Sequence, residues 1–149
     1  MLLIAYGNPG RGDDGLGPEF ARRLSESGRQ GIKIVTDFQL KPEHAVAIAT
    51  ASSVVFVDAS LTAPPPFAFD PLEPEERGEV NSHRIAPVTV LALARLHFGA
   101  TCPAYLLAIS GTCFEHLHDG LSPEAQANLA KAEAFFHTWR ETQHPVLAQ

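Results

Sequence analysis

A glycine-rich loop near the amino terminus is the feature that most restricts the fold of this chain. It occupies Gly7–Gly17, follows the apolar run Met1–Tyr6 and precedes a helical pattern that starts at Pro18. Its five glycines allow sharp turns and a close approach to a ligand. A phosphate-binding loop would carry a lysine, whereas this loop carries two adjacent carboxylates, Asp13 and Asp14. The loop is therefore predicted to meet an electropositive ligand, and a metal ion is the obvious candidate.

Strand-like and helix-like segments alternate after this loop. The run Val54–Asp58 is the clearest buried strand, because consecutive apolar residues suit a sheet that is covered on both faces. The alternation predicts an α/β fold, a single-domain three-layer sandwich with a mainly parallel sheet and helices on both faces. The predicted strands are Leu2–Tyr6, Ile32–Thr36, Val54–Asp58 and Ala104–Ile109, and the predicted helices are Pro18–Ser27, one beginning near Pro42, Pro87–Phe98 and one from Pro123 to about Glu141.

Two further segments have a predicted role in this architecture. The stretch 59–82 is too long for an ordinary connection, so we expect it to be functional or to form an edge of the sheet. Ser122, followed by Pro123 and Glu124, has the pattern of a residue that caps the start of the last helix.

Length, charge and cysteine content narrow the classes of function. A chain of 149 residues fits one domain, predicted to span 1–149. The net charge of −6, without a lysine or arginine cluster, argues against nucleic acid and anionic membranes as partners. No apolar run approaches the ~18 residues of a membrane span and no basic leader precedes the first strand, so we expect a cytoplasmic protein without membrane insertion. Cys102 and Cys113 lack metal-finger or redox spacing and are expected to be reduced packing residues.

Three side chains from distant parts of the chain are predicted to form one site. In open parallel sheets, ligands bind at the carboxyl ends of the strands where the strand order reverses, which in a 2-1-3 order lies between the first and third strands. Asp14 follows the first strand and Asp58 ends the third. His83 lies just before a helix and is expected over the same edge. Two carboxylates and an imidazole suit zinc, nickel or manganese and leave coordination positions open.

Each of these residues also has a plainer interpretation. Asp14 can cap the following helix, Asp13 can act as a cap or organise the loop, and Asp58 can accept hydrogen bonds from backbone amides. His83 can be an ordinary polar residue at a helix start. The remaining histidines are predicted to be solvated or exposed: His44, His97, His116, His118, His137 and His144.

The order and spacing of these motifs resemble the nickel–iron hydrogenase maturation endopeptidases. The resemblance covers nearly the whole chain and is carried by Gly7-Asn8-Pro9 with Gly12-Asp13-Asp14-Gly15, by the strand that ends in Asp58-Ala59, and by Ser82-His83 ahead of a helix. Gly120-Leu121-Ser122-Pro123 before a long terminal helix is also typical of this family.

The resemblance implies an activity, a partner and roles for the site residues. Members of the family remove a short C-terminal extension from the precursor of the hydrogenase large subunit after nickel has been inserted. By this resemblance Asp14, Asp58 and His83 are the metal-binding and catalytic residues, and Gly7, Asn8, Gly12 and Asp13 form the loop next to the substrate. The nickel is expected to be supplied by the substrate, and other divalent ions are expected to substitute for it.

The chain departs from the commonest family pattern at two places. Asp14 stands where many members have glutamate, which shortens the side chain by one methylene. The segment Asp37–His44 differs from the glycine- and threonine-rich version found in much of the family. Because this segment lies beyond a strand end, it is a candidate for choosing the partner.

The expected reaction is a metal-assisted hydrolysis of a peptide bond, with two alternatives left open. The metal would polarise the carbonyl or lower the pKa of a bound water, and an unengaged aspartate would accept a proton. One alternative is a peptidyl-tRNA hydrolase, whose first strand also ends in Gly-Asn-Pro-Gly, although the acidic charge and the missing Arg-His-Asn segment oppose it. The other is a non-catalytic metal-dependent module that escorts a nickel protein.

Overall fold

One sheet with helices on its two faces forms the centre of the structure. The computed structural model describes residues 1–74, 85–115 and 119–143. Within these ranges the strands are β1 (Leu2–Tyr6), β2 (Lys33–Asp37), β3 (Val54–Ser60), β4 (Phe67–Pro71) and β5 (Ala104–Ser110). The helices of the same ranges are α1 (Leu16–Glu26), α2 (His44–Ile48), α3 (Pro87–Phe98) and α4 (Pro123–Gln143), with a 3₁₀ turn at Gly12–Gly15.

The strand order places a ligand-binding edge between β1 and β3. The strands of the sheet lie in the order β2-β1-β3-β5-β4. β1 pairs in parallel with β2 and β3, and β3 pairs in parallel with β5. The chain passes from β1 to β2 on one side and then from β2 to β3 on the other side of β1. This reversal creates the crevice where such folds bind ligands. The predicted α/β sandwich and its 2-1-3 order are confirmed.

The two faces of the sheet are covered by different helices. Along β1, Leu3 and Ala5 belong to a core cluster that includes residues of α1 and α4. Leu2 and Ile4 point to the opposite face, where they belong to a cluster with residues of α2 and α3. Consecutive residues of β1 are thus buried on alternate faces, which explains why the strand is apolar at every position.

Element boundaries follow the sequence pattern with small differences. α1 begins at Leu16, two residues before Pro18, because proline is tolerated within a first helical turn. α2 begins at His44 and is short, so Pro42 precedes it. The Oγ of Ser122 accepts a hydrogen bond from the Ala125 amide at 3.2 Å, which confirms the predicted cap of α4.

The segment after β3 forms an edge of the sheet, one of the two roles predicted for it. β4 pairs antiparallel with β5, with Phe67 opposite Ile109 and Phe69 opposite Leu107. Phe69 stacks on Tyr105, with ring centroids 5.4 Å apart, and contacts Trp139 of α4 edge-on at 4.9 Å. This aromatic contact attaches the edge strand to the last helix.

None of the helices in the described ranges combines the length and the hydropathy needed to span a bilayer.

Gly17 allows α1 to pack directly against the ends of β1 and β3. A Cβ at this position would lie 2.5 Å from the carbonyl oxygen of Tyr6 and 2.9 Å from that of Val57. Both neighbours are backbone atoms of buried strands, so they cannot move aside cheaply. The close approach sets the distance between the helix start and the edge of the sheet at which the loop lies.

Replacing Gly17 with alanine is expected to lower the free energy of unfolding by about 1–3 kcal/mol, because the added methyl overlaps strand carbonyls. Urea denaturation followed by circular dichroism measures the change. Ser25→Ala, at an exposed position of the same helix, is the control and is expected to change stability by no more than a few tenths of a kcal/mol. Equal stability of the two variants would show that the helix can shift away from the strands.

Candidate functional site

A cavity of about 420 Å³ opens at the carboxyl ends of β1 and β3. Asp14 and Asp58, which the sequence analysis assigned to one crevice, both line it. The predicted convergence of these two carboxylates is therefore present in the structure. The other lining residues come from three segments: Tyr6, Gly7, Asn8 and Arg11; Phe38, Gln39 and Leu40; and Ile85, Ala86 and Pro87.

The Asp14 carboxylate is held by the loop that precedes it. Its Oδ2 accepts a hydrogen bond from the backbone amide of Asn8 at 2.8 Å. The Asn8 side chain in turn accepts one from the Gly10 amide at 2.9 Å, so the loop closes on itself. Gly15 is the residue that precedes α1, and no side-chain hydrogen bond caps that helix. Asp14 thus braces the loop at the cavity and does not cap the helix.

Gly7 makes this arrangement sterically possible. Its φ of 145° is rarely adopted by residues with a side chain, and a Cβ there would overlap the main-chain carbonyl oxygen of Asp14. The backbone at the end of β1 therefore touches the backbone of Asp14 directly. This contact sets the carboxylate next to the strand end.

Asp13 lies beneath the cavity and ties the loop to two distant elements. Its side chain is fully buried. Its Oδ1 accepts a hydrogen bond from the Ser122 amide at 2.7 Å, and its Oδ2 accepts bonds from the Thr112 amide at 2.8 Å and the Cys113 amide at 3.0 Å. The Ser122 hydroxyl also donates to Oδ2 at 2.7 Å. The interpretation of Asp13 as an organiser of the loop is confirmed.

These hydrogen bonds determine the ionisation of Asp13. Burial by itself raises the pKa of this carboxyl, but the bonds from Ser122, Thr112 and Cys113 outweigh it and hold the pKa below its ordinary value. An ionised carboxylate accepts all of these bonds, whereas a protonated one loses acceptor capacity.

The loop residues expected next to the substrate divide into two groups. Gly7 and Asn8 line the cavity. Gly12 and Asp13 are buried and are not among the residues that line it. Their part in the site is to support the loop from below, because the 3₁₀ turn directs Asp13 into the protein and Asp14 toward the cavity.

Asp58 reaches the cavity from the central strand. It follows the buried residues 54–57 and pairs with Ala108 of β5. Because β1 ends at Tyr6 while β3 continues to Ser60, Asp58 lies just past the last residue of β3 that pairs with β1. It is half-buried at the cavity wall.

The third predicted ligand, His83, lies outside the described residues. Ile85, two positions later, lines the cavity. Within residues 1–74, 85–115 and 119–143, no group of three histidine, cysteine, aspartate or glutamate side chains is arranged to hold a metal ion. A three-ligand site with His83 remains a prediction.

The segment after β2 forms a second wall of the cavity. The prediction for His44, at the end of this segment, was wrong: the side chain was expected to be exposed, but it is buried. Its Nδ1 accepts a hydrogen bond from the Lys41 amide at 2.9 Å, and its Nε2 lies 3.4 Å from Asp37 Oδ2. The imidazole of His44, the first residue of α2, thus packs back against residues 37–41. These contacts stabilise the wall formed by Phe38–Leu40.

The other histidines give a mixed outcome. His97 is exposed, as predicted, and His137 is half-buried, because α4 packs against the sheet along most of its length. Burial lowers the pKa of His137, and the nearby Arg29 acts in the same direction. His116, His118 and His144 lie outside the described residues.

Several lining residues were not singled out by sequence reasoning. Arg11 stands inside the glycine loop, and a single cation between glycines and carboxylates is a signal that could have identified it. Ala86 and Pro87 carry no such signal, since apolar residues at a helix start are common.

Replacing Asp13 with asparagine is expected to lower the free energy of unfolding by about 1–3 kcal/mol near pH 7, because buried amides lose a charged acceptor. The folded-state pKa is lowered, so the carboxylate stabilises the fold above the pKa of the unfolded chain, about 3.9. That contribution is lost as the pH falls through the lower folded-state value. The stability difference between wild type and variant should therefore be constant from pH 7 to about 5 and shrink below about pH 4.

Urea denaturation over this pH range measures the difference. Asp70→Asn, at an exposed position of the edge strand, serves as the control and is expected to show a much smaller difference throughout. A difference for Asp13→Asn that is negligible at pH 7 would contradict the role of Asp13 as an anchor.

Comparison with known proteins identifies the fold. No family model and no curated protein sequence matches the chain. Among solved structures, the NiFe hydrogenase maturation protease HycI from Thermococcus kodakarensis KOD1 aligns with a TM-score of 0.69 at 22% identity, over 92% of this chain and 89% of that one. The hydrogenase maturating endopeptidase HybD from E. coli aligns with a TM-score of 0.68 at 22% identity, over 95% and 92% of the two chains.

A third similar structure is the hydrogenase 2 maturation peptidase from Thaumarchaeota archaeon SCGC_AB-539-E09. Its TM-score is 0.66 at 20% identity, and the alignment covers 92% of this chain and 95% of that one. The likeness extends over nearly the full length in each comparison. The chain therefore has the fold of the hydrogenase maturation proteases, as the resemblance of its motifs implied.

Proposed function

We propose that this chain is an endopeptidase that removes the C-terminal extension of a nickel–iron hydrogenase large-subunit precursor. One observation carries the proposal: Asp14 and Asp58, from separate elements, line one cavity at the strand-order reversal of this fold. Solved structures with this fold bear the names of hydrogenase maturation proteases. The sequence motifs that resemble this family are the ones that supply the two carboxylates.

Asp14, Asp58 and His83 are the proposed ligands of the nickel that the precursor brings. Two carboxylates and an imidazole are donors that suit a divalent first-row metal. His83 is two residues from Ile85, which lines the cavity, and two residues of extended chain span about 7 Å. The proposal includes His83 because the family resemblance of the sequence motifs assigns it as a ligand. Other divalent ions are proposed to substitute for nickel.

The proposed reaction is hydrolysis of the peptide bond beside the ion. The protein holds the precursor through the nickel, so the scissile bond is fixed near the carboxylates. Bound to the precursor, nickel can act as a Lewis acid toward the carbonyl or an attacking water. A carboxylate oxygen of Asp14 or Asp58 that does not bind the metal accepts the proton of that water.

The large-subunit precursor is the proposed partner, and Phe38–Leu40 are proposed to contact it. This segment lines the cavity, and Phe38 is 69% exposed although it is aromatic. The cytoplasm is the proposed compartment, in accordance with the two free cysteines, Cys102 and Cys113.

Asp14→Asn and Asp58→Asn are expected to reduce processing by about 100-fold or more, because an amide is a poor metal ligand and cannot accept the proton. His83→Ala is expected to have a similar effect. The assay incubates each variant with nickel-loaded precursor and follows the C-terminus of the large subunit by mass spectrometry. Asp70→Asn, which removes a carboxylate on the exposed edge strand, is the matched control and should process at the wild-type rate.

The outcome also separates this proposal from the alternatives. A wild-type protein that binds the nickel-loaded precursor without shortening it would be an escort module, and the endopeptidase proposal would be wrong. Cleavage that is undiminished in His83→Ala would remove this histidine from the site while leaving the activity in place.

Asp14→Glu tests whether charge or reach matters at the loop position. It keeps the carboxylate and adds one methylene, so processing is expected to stay within about tenfold of the wild type, in contrast to Asp14→Asn. The same assay measures it, with unfolding midpoints recorded for both variants. Equal loss in the two variants would show that the position tolerates no change in length.

A further inference from the structure

Arg11 is the one cation among the described residues that line the cavity. It precedes the 3₁₀ turn, and its backbone is fixed at both ends of the residue. Its amide donates to the Asn8 carbonyl at 3.0 Å, and its carbonyl accepts from the Asp14 amide at 3.2 Å. The side chain therefore starts from a rigid point between two other residues of the cavity wall.

The guanidinium of Arg11 has an unused donor. Its Nε is buried and has no hydrogen-bond partner among the described residues. Within the same residues, four other cations each lie within 3.6 Å of a carboxylate: Arg22, Arg23, Arg29 and Lys41. Arg11 forms no such ion pair among the described residues, so its charge is available to an acceptor that enters the cavity.

The substrate class of the proposed function supplies such an acceptor. A peptide lying along the cavity presents backbone carbonyl oxygens, and the oxygen of the scissile bond gains negative charge when water attacks. Asp14 and Asp58 are acidic and cannot stabilise this charge, whereas a guanidinium donates hydrogen bonds to it without losing its proton. Among the described residues that line the cavity, Arg11 is thus the one whose positive charge can stabilise the negative carbonyl oxygen.

We propose that Arg11 donates a hydrogen bond to the carbonyl oxygen of the scissile peptide bond and stabilises it during hydrolysis. In this step the oxygen of water bonds to the carbonyl carbon, the carbon–nitrogen bond breaks, and the proton released by the water passes to the leaving amine nitrogen. No further reactant is consumed. This inference rests on the proposed endopeptidase function.

Arg95 provides a matched control for every variant of Arg11. Its Nε is also buried without a partner among the described residues, but it lies on α3 and does not line the cavity. Arg11→Ala and Arg95→Ala therefore remove the same side chain with the same unpaired donor. They differ in whether that side chain faces the proposed substrate.

Steady-state cleavage of nickel-loaded precursor is measured for wild type, Arg11→Ala and Arg95→Ala, with and without millimolar guanidinium ion. Arg11→Ala is expected to lower kcat by about 10²–10³-fold with little change in KM, since the bond strengthens as charge develops. Guanidinium is expected to restore part of the rate in Arg11→Ala only. Arg95→Ala should keep the wild-type kcat, and the unfolding midpoints of the variants should match.

Each other outcome overturns a stated part of the reasoning. Unchanged kinetics in Arg11→Ala, a rise in KM with kcat unchanged, or a rate loss that guanidinium does not restore would overturn the role of Arg11 while wild-type cleavage upholds the proposed function. Absence of cleavage by the wild type would overturn the proposed function and this inference with it.

Discussion

A buried carboxylate is the interaction on which the candidate site depends. Asp13 accepts hydrogen bonds from the end of β5 and from the start of α4, and so connects the glycine loop to parts of the chain about 100 residues away. Without this anchor, a loop of five glycines would have high conformational freedom. The hydrogen bonds convert a flexible sequence into a fixed support for the neighbouring Asp14.

The two adjacent aspartates have opposite surroundings because the chain turns between them. Asp13 points into the protein, where its donors are backbone amides and the hydroxyls of Ser122 and Thr112. Asp14 points to the cavity, where it accepts a bond from Asn8 and faces the side on which Asp58 lies. The Asp13 carboxylate stabilises the loop, and the stabilised loop fixes the Asp14 carboxylate at the cavity. The same division explains why Gly7 must lack a side chain, since the loop backbone packs on the strand end there.

The charges of the cavity fit the chemistry proposed for it. In that proposal Asp14 and Asp58 would provide negative oxygens for a cation and for a proton, and Arg11 would provide a donor for the developing oxyanion. Phe38 adds an exposed aromatic surface beside these charges, on a segment that His44 holds from behind. The charged groups and the apolar wall come from different connections of the same sheet edge, which is how parallel α/β folds assemble sites from loops.

Much of this arrangement follows from local pattern alone. The apolar runs, the glycine loop and the caps predict a parallel sheet. The position of the strand-order reversal then predicts that Asp14 and Asp58 lie close together, because each lies at the carboxyl end of a strand and these ends share one edge of the sheet. Other features depend on contacts between distant residues. The antiparallel pairing of β4, the burial of His44 and the unpaired donor of Arg11 arise from packing partners that no local period encodes. His83 stays a prediction, since it lies outside the described residues. Periodicity specifies which face of an element is buried, whereas the partner of a polar side chain is decided only when the chain has folded around it.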